Sequence, residues 1–197
     1  MTLFNSIHGA VMRFGYGRET KLASNSEFTT LSDTLLDGTV VDMAEYVGDV
    51  LIVVNVASKW GLTKTNYTQL TNLIDDYGDQ GLKVLAFPCN QFLKQEPGNA
   101  DQIRDFIQTH GWERERLVLF SKRDVNGANA RPVFTCLKNA IPFDDGTTNV
   151  LWNFGKFLID HEGNPVKRFG SKTEPNAMRN DIENLLAIRN DDSNPIE

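Results

Sequence analysis

The chain is poor in the residues that define several common protein classes. Its 2 cysteines, Cys89 and Cys136, are too few for a disulfide scaffold, which favours a reducing compartment over an oxidising one. Its 3 histidines, His8, His110 and His161, are scattered and have no metal-ligand spacing. No apolar run approaches the ~20 residues that cross a bilayer. There is no glycine-rich phosphate loop and no paired-carboxylate arrangement. The formal net charge of −6 disfavours nucleic acid or an anionic membrane as partner.

What is present is an ordinary globular composition, and one domain is the default for 197 residues. Residues 1–27 carry Arg13, Arg18 and Lys21 without a secretory-type apolar core, and Glu19 interrupts the basic bias. They read as an N-terminal arm, with a trimmed transit remnant as the alternative. Residues 28–189 form the expected domain and 190–197 a polar tail. The expected compartment is cytoplasmic, or organellar if the arm is a transit remnant.

The centre of the pattern is Leu51 to Thr63. Leu51 to Val54 and Val56, interrupted only by Asn55, suit a strand buried on both faces. Ala57, Ser58, Lys59, Trp60 and Gly61 make a turn, and Thr63 opens a helix expected to reach Tyr77. A loop between a strand's carboxyl end and a helix N-terminus collects N–H donors and favours an anion. Leu82 to Phe87 reads as a parallel neighbour, stopped by Pro88, and gives a right-handed βαβ unit. Asp37-Gly38 marks an N-terminal hairpin between Phe28 to Ser32 and Thr39 to Met43.

Beyond Pro88, Asn90 and Gln91 belong to a polar loop, either as site groups or as its supports. Asn99 or Asp101 caps a helix with Ile103, Phe106 and Ile107 inward. Leu117 to Phe120 reads as an edge strand, Pro132 to Lys138 as a short helix, and 139–149 as loop. Leu151 to Asp160 and Pro165 to Phe169 make a hairpin turning at Gly163. The last helix opens at Thr173-Glu174-Pro175, with Met178, Ile182, Leu185, Leu186 and Ile188 on one face. These elements spell an α/β domain with a thioredoxin-like fold: a central mixed sheet flanked by helices, with an N-terminal β-hairpin.

Three stretches, NVASKWGLTKTNYTQL (55–70), LAFPCNQFLKQEPG (85–98) and WNFGKFLID (152–160), together resemble the glutathione peroxidase family, colinearly from Phe28 to Arg179. The resemblance implies reduction of hydrogen peroxide and organic hydroperoxides by a thiol, with no cofactor beyond that co-substrate. It puts the peroxidatic selenocysteine or cysteine at Trp60 and its supporting donors at Gln95, Trp152 and Asn153. An indole has no proton ionisable in the useful range and is not a covalent nucleophile. The chain as written is therefore expected not to turn over. Two origins remain open: a selenocysteine codon, UGA, read as Trp (UGG), or a natural pseudoenzyme serving as a binding or scaffold protein.

The family's thioredoxin-dependent members carry a resolving cysteine after the EPG segment, and 101–111 contains none. Glutathione is therefore favoured over thioredoxin. The short 139–149 loop resembles the compact, monomeric members that act on phospholipid hydroperoxides. Lys59, Lys64, Lys94 and Lys156 lie within or beside the motifs and are read as a positive rim for a thiolate donor or a lipid headgroup, or as ordinary surface. Cys89 and Cys136 are read as packed thiols rather than nucleophiles. Tyr67 and Gln69 are read as packing and capping groups.

Overall fold

The structure is a computed structural model and describes residues 28–112 and 115–193. The expected arm at 1–27 lies outside these residues. The organising element is β3 (Val50–Val56), buried along its whole length. Its even-numbered residues Val50, Ile52, Val54 and Val56 join one apolar cluster, and Leu51 and Val53 join another. This alternation follows from the two-residue repeat of a strand. Each fully buried Val, Leu or Ile contributes about 1.5–3 kcal/mol relative to exposure.

Two short strands, β1 (Ser32–Thr34) and β2 (Val40–Asp42), make the antiparallel N-terminal pair, with Gly38 at φ 94 in its turn. Phe28–Thr30 is a 3-10 turn, so the first strand is not at Phe28 to Ser32 as expected but starts at Ser32 and runs to Thr34. After β3 come α1 (Thr63–Tyr77) and β4 (Leu82–Pro88), then α2 (Ala100–Gln108), β5 (Leu117–Leu119) and α3 (Pro132–Ala140). The hairpin β6 (Lys156–Ile159) and β7 (Pro165–Phe169) and the helix α4 (Arg179–Ser193) complete the domain. The main sheet has the order β5-β4-β3-β6-β7. β3 is parallel to β4 and antiparallel to β6.

One face of the sheet packs on Tyr67, Leu70, Leu73 and Ile74 of α1, on Met178 just before α4, and on Ile182 and Leu186 of α4. The other packs on Phe134 and Leu137 of α3 and on Val41 and Met43 near the N-terminal pair. That pair is fastened by a buried ion pair, Arg131 Nη1 to Asp33 Oδ2 at 3.6 Å, with the guanidinium 4.6 Å above the Phe87 ring.

Three further expectations need correction. The strand begins at Lys156 rather than Leu151, because 152–154 form a turn that reaches toward β3. Ile188 is 51% exposed; α4 follows a 3-10 turn, Pro175–Met178, and its phase past Leu186 carries Ile188 outward. Helix α4 also runs to Ser193, beyond Asn190 where the polar tail was expected to begin. Asn99 is the cap of α2, in a reciprocal capping box with Gln102.

Candidate functional site

Three loops meet at the carboxyl ends of β3 and β4 and the entry to β6. The turn after β3 is shaped by Thr63. Its hydroxyl donates to Ala57 O at 2.7 Å and accepts the Trp60 amide at 3.1 Å, folding the turn onto the first residue of α1. Lys59 N donates to Gln95 O at 3.0 Å, and Ser58 Oγ donates to Glu96 Oε1 at 2.8 Å. Gln95 and Glu96 are thereby strapped to the turn.

Antiparallel β6 brings the third loop in from its start. Asn55, the polar interruption in β3, clamps it with four bonds. Its Nδ2 donates to Trp152 O at 3.1 Å, and its carbonyl accepts Phe154 N at 2.7 Å. Its Oδ1 accepts Gly155 N at 2.9 Å, and its own amide donates to Gly155 O at 3.3 Å. Gly155 suits this close approach, since a Cβ there would sit 3.0 Å from the Val150 side chain and 3.2 Å from Asn55 Oδ1. Asn126 grips Val150 twice, at 2.8 and 2.9 Å. Gln91 in turn holds the Asn126 and Val125 backbone, so Gln91 supports the loop rather than facing a ligand. Asn90 Oδ1 does the same for Glu96 N at 2.9 Å.

The result joins sequence-predicted groups that are far apart in the chain. Asn153, fully buried, donates from Nδ2 to Gln95 Oε1 at 2.6 Å. Trp60 is half-buried and stacks on Phe154, with centroids 5.7 Å apart and planes at 22°. Trp152 packs on Phe92 at 5.9 Å. Among the described residues, the non-glycine residues with positive φ are Leu93 (50), Lys94 (54) and Phe154 (57). They directly precede Gln95 and directly follow Asn153. Left-handed backbone costs an L-residue about 1–2 kcal/mol, and here it turns the two amide-bearing residues toward each other.

Of the expected rim, Lys59, Lys64 and Lys94 are exposed. Lys156 is not a rim residue. It is fully buried in β6, and its Nζ donates to Phe154 O and Thr173 O, both at 2.8 Å. Burial pulls its ammonium down to about 7, opposed by the Glu174 charge. A neutral amine still has the two N–H groups that these carbonyls use. Cys89 is fully enclosed, and burial pushes its thiol up to about 11. Cys136 is buried in α3, with its thiol also raised by burial. Both were expected as packed thiols. Tyr67 lies in an aromatic cluster with Phe106, Trp112 and Phe154. Gln69 holds Glu174 and the Asn176 amide. Among the described residues no cluster of His, Cys, Asp or Glu could hold a metal, and no helix is long and apolar enough to cross a membrane.

A βαβ unit extended by an antiparallel hairpin, with its polar loops at the carboxyl end of β3, is the thioredoxin-like class. A thioredoxin-like protein from Aeropyrum pernix superposes with a TM-score of 0.57 at 16% identity, over 79% of this chain and 89% of that one. The sequence pattern of the family "Glutathione peroxidase" matches residues 28–138. A "Probable phospholipid hydroperoxide glutathione peroxidase" of Solanum lycopersicum is 48% identical over 153 residues, 77% of this chain and 88% of the relative. The crystal structure of T. cruzi GPX1 is 33% identical with a TM-score of 0.67, over 82% of this chain and 97% of that one. The chain belongs to the glutathione peroxidase family, whose activity is thiol-dependent reduction of peroxides.

Proposed function

We propose that this chain is the scaffold of a monomeric hydroperoxide reductase in which Trp60 stands where the native protein has a peroxidatic selenocysteine. With that residue in place, the selenolate attacks the terminal peroxide oxygen and the O–O bond breaks. The other oxygen leaves as alcohol or water, and two thiols then return the selenenic acid to selenolate, forming water and a disulfide. Gln95, Trp152 and Asn153 supply amide and indole groups for the anion and the departing oxygen. Trp60 cannot begin this sequence, so the chain as written is inactive.

The observation that carries the reading is the Asn153–Gln95 bond at 2.6 Å beside the turn that bears Trp60. A polar apparatus with strained flanks is assembled around a side chain that has no use for it. Glutathione is the assigned donor because α2 lacks a resolving cysteine. Exposed Lys59, Lys64 and Lys94, together with Leu93 at 73% exposure, support a lipid hydroperoxide or an anionic thiol as the visitor.

Trp60→Cys tests the reading directly: a folded variant should gain glutathione-dependent peroxidase turnover, and a folded variant without any gain sinks it. The triplet encoding position 60 is the companion test, with UGA expected. The stacking of Trp60 on Phe154 favours a second reading, a pseudoenzyme that packs its indole into the site. A genomic UGG together with an inactive Trp60→Cys variant would select it.

A further inference from the structure

Glu96 is among the least exposed carboxyls in the molecule, at 1%, and the chemistry above does not use it. It nevertheless sits where two of the three loops join. Its Oε1 accepts Ser58 Oγ at 2.8 Å, its amide donates to Asn90 Oδ1 at 2.9 Å, and its carbonyl accepts Lys122 Nζ at 3.1 Å. The preceding residue, Gln95, accepts the Lys59 amide through its carbonyl and the Asn153 side chain through its amide oxygen. One short segment therefore fixes the turn that ends at position 60 and also carries the amide that Asn153 bonds.

A buried carboxylate is costly and persists only with compensation. Burial raises the proton affinity of Glu96, while the Ser58 hydroxyl, Lys122 and Lys59 oppose the shift. The fourth neighbour in electrostatic reach is Tyr67, whose phenol burial and the Glu96 charge together hold neutral. Glu96 Oε2 and Tyr67 Oη both lack a hydrogen-bond partner among the described residues. If the carboxyl served only to anchor Ser58, a neutral amide would do so with less burial cost.

We infer that Glu96 is a positioning residue, whose buried carboxylate holds Ser58, fixes the turn bearing residue 60 against Gln95, and sets the acidity of whatever nucleophile stands at 60. The inference rests on the reading of position 60 as the peroxidatic one. It is tested by a measurement that needs no peroxidase turnover. In the Trp60→Cys protein, carboxamidomethylation of the introduced thiol is followed against pH by peptide mass spectrometry. Removing the charge in Glu96→Gln should move the midpoint down by about half a pH unit or more. Separately, Glu96→Ala should lower peroxidase kcat/KM by roughly tenfold, through loss of a hydrogen bond to a charged group. Glu96→Gln, which keeps an oxygen for Ser58, should recover most of that loss. An unmoved midpoint in folded Glu96→Gln overturns the electrostatic role, and an unimpaired Glu96→Ala overturns the positioning role. If the Trp60→Cys parent is itself inactive, the reading of position 60 fails while the alkylation midpoints still decide the case of Glu96.

Discussion

The two central parallel strands end side by side, Val56 pairing with Pro88 and Cys89 N bonding to Val56 O at 3.1 Å, yet their loops have opposite characters. The loop after β3 leads straight into a helix, exposes Lys59 and Lys64, and leaves residue 60 half-buried among polar straps. The loop after β4 begins by enclosing Cys89, whose thiol burial pushes up to about 11. A strand's carboxyl end is thus not enough to make a reactive position. The position also needs solvent access, which residue 60 has and Cys89 lacks.

The comparison is broken most forcefully by Trp60→Cys, which should raise thiol-dependent peroxide reduction at least ~10²-fold above the parent background. Adding Cys89→Ser to that variant should leave the rate unchanged, and a collapse would mean that the β4 loop carries the chemistry. Next, Asn153→Ala in the Trp60→Cys protein should cost on the order of 10²-fold in kcat with intact circular dichroism.

Lys156→Met sharpens the contrast through pH. The folded ammonium is depressed from 10.5 to about 7, so between these values the unfolded chain binds more protons. Stability therefore rises with pH across that window, by at most ~1.4 kcal/mol per unit. Denaturant unfolding should show the parent gaining on Lys156→Met as pH rises from 7 toward 10, and a constant difference would refute the shift. The smallest effect is Cys89→Ser in the parent chain, which should cost about 1 kcal/mol of stability, since the buried hydroxyl loses the sulfur's packing but keeps the Gln91 Oε1 acceptor that the thiol meets at 3.6 Å.

Much of the fold was legible because its signals are local. The β-branched run of β3, the Asp-Gly turn and the Asn99 cap each act within a few residues. Trp60, Gln95 and Asn153 were legible through motif resemblance, and the structure brings the latter two into contact. Lys156 was misplaced because a lysine in a strand normally points to water; β6 is covered on both faces, so alternation gave no outward side. Asn55 and Glu96 were missed as supports because a polar residue inside an apolar run, or within a polar loop, does not name its partner. The three left-handed residues were equally silent, since Leu, Lys and Phe carry no turn chemistry of their own.

Asn55 has a further consequence, in time rather than space. Its partners Trp152, Phe154 and Gly155 are made long after it, and a chain that folds from its N-terminus as it is synthesised completes the β3–α1–β4 unit well before β6 exists. The nascent protein therefore presents the turn bearing Trp60, with the Asn55 side-chain amide still without its partners at Trp152 and Gly155, until the hairpin docks. Docking of β6 satisfies that amide and delivers Asn153 to Gln95 in one event. Completion of the sheet and the Asn153–Gln95 contact then come in the same folding step, so slow release of the C-terminal third would leave the turn bearing Trp60 without its third loop.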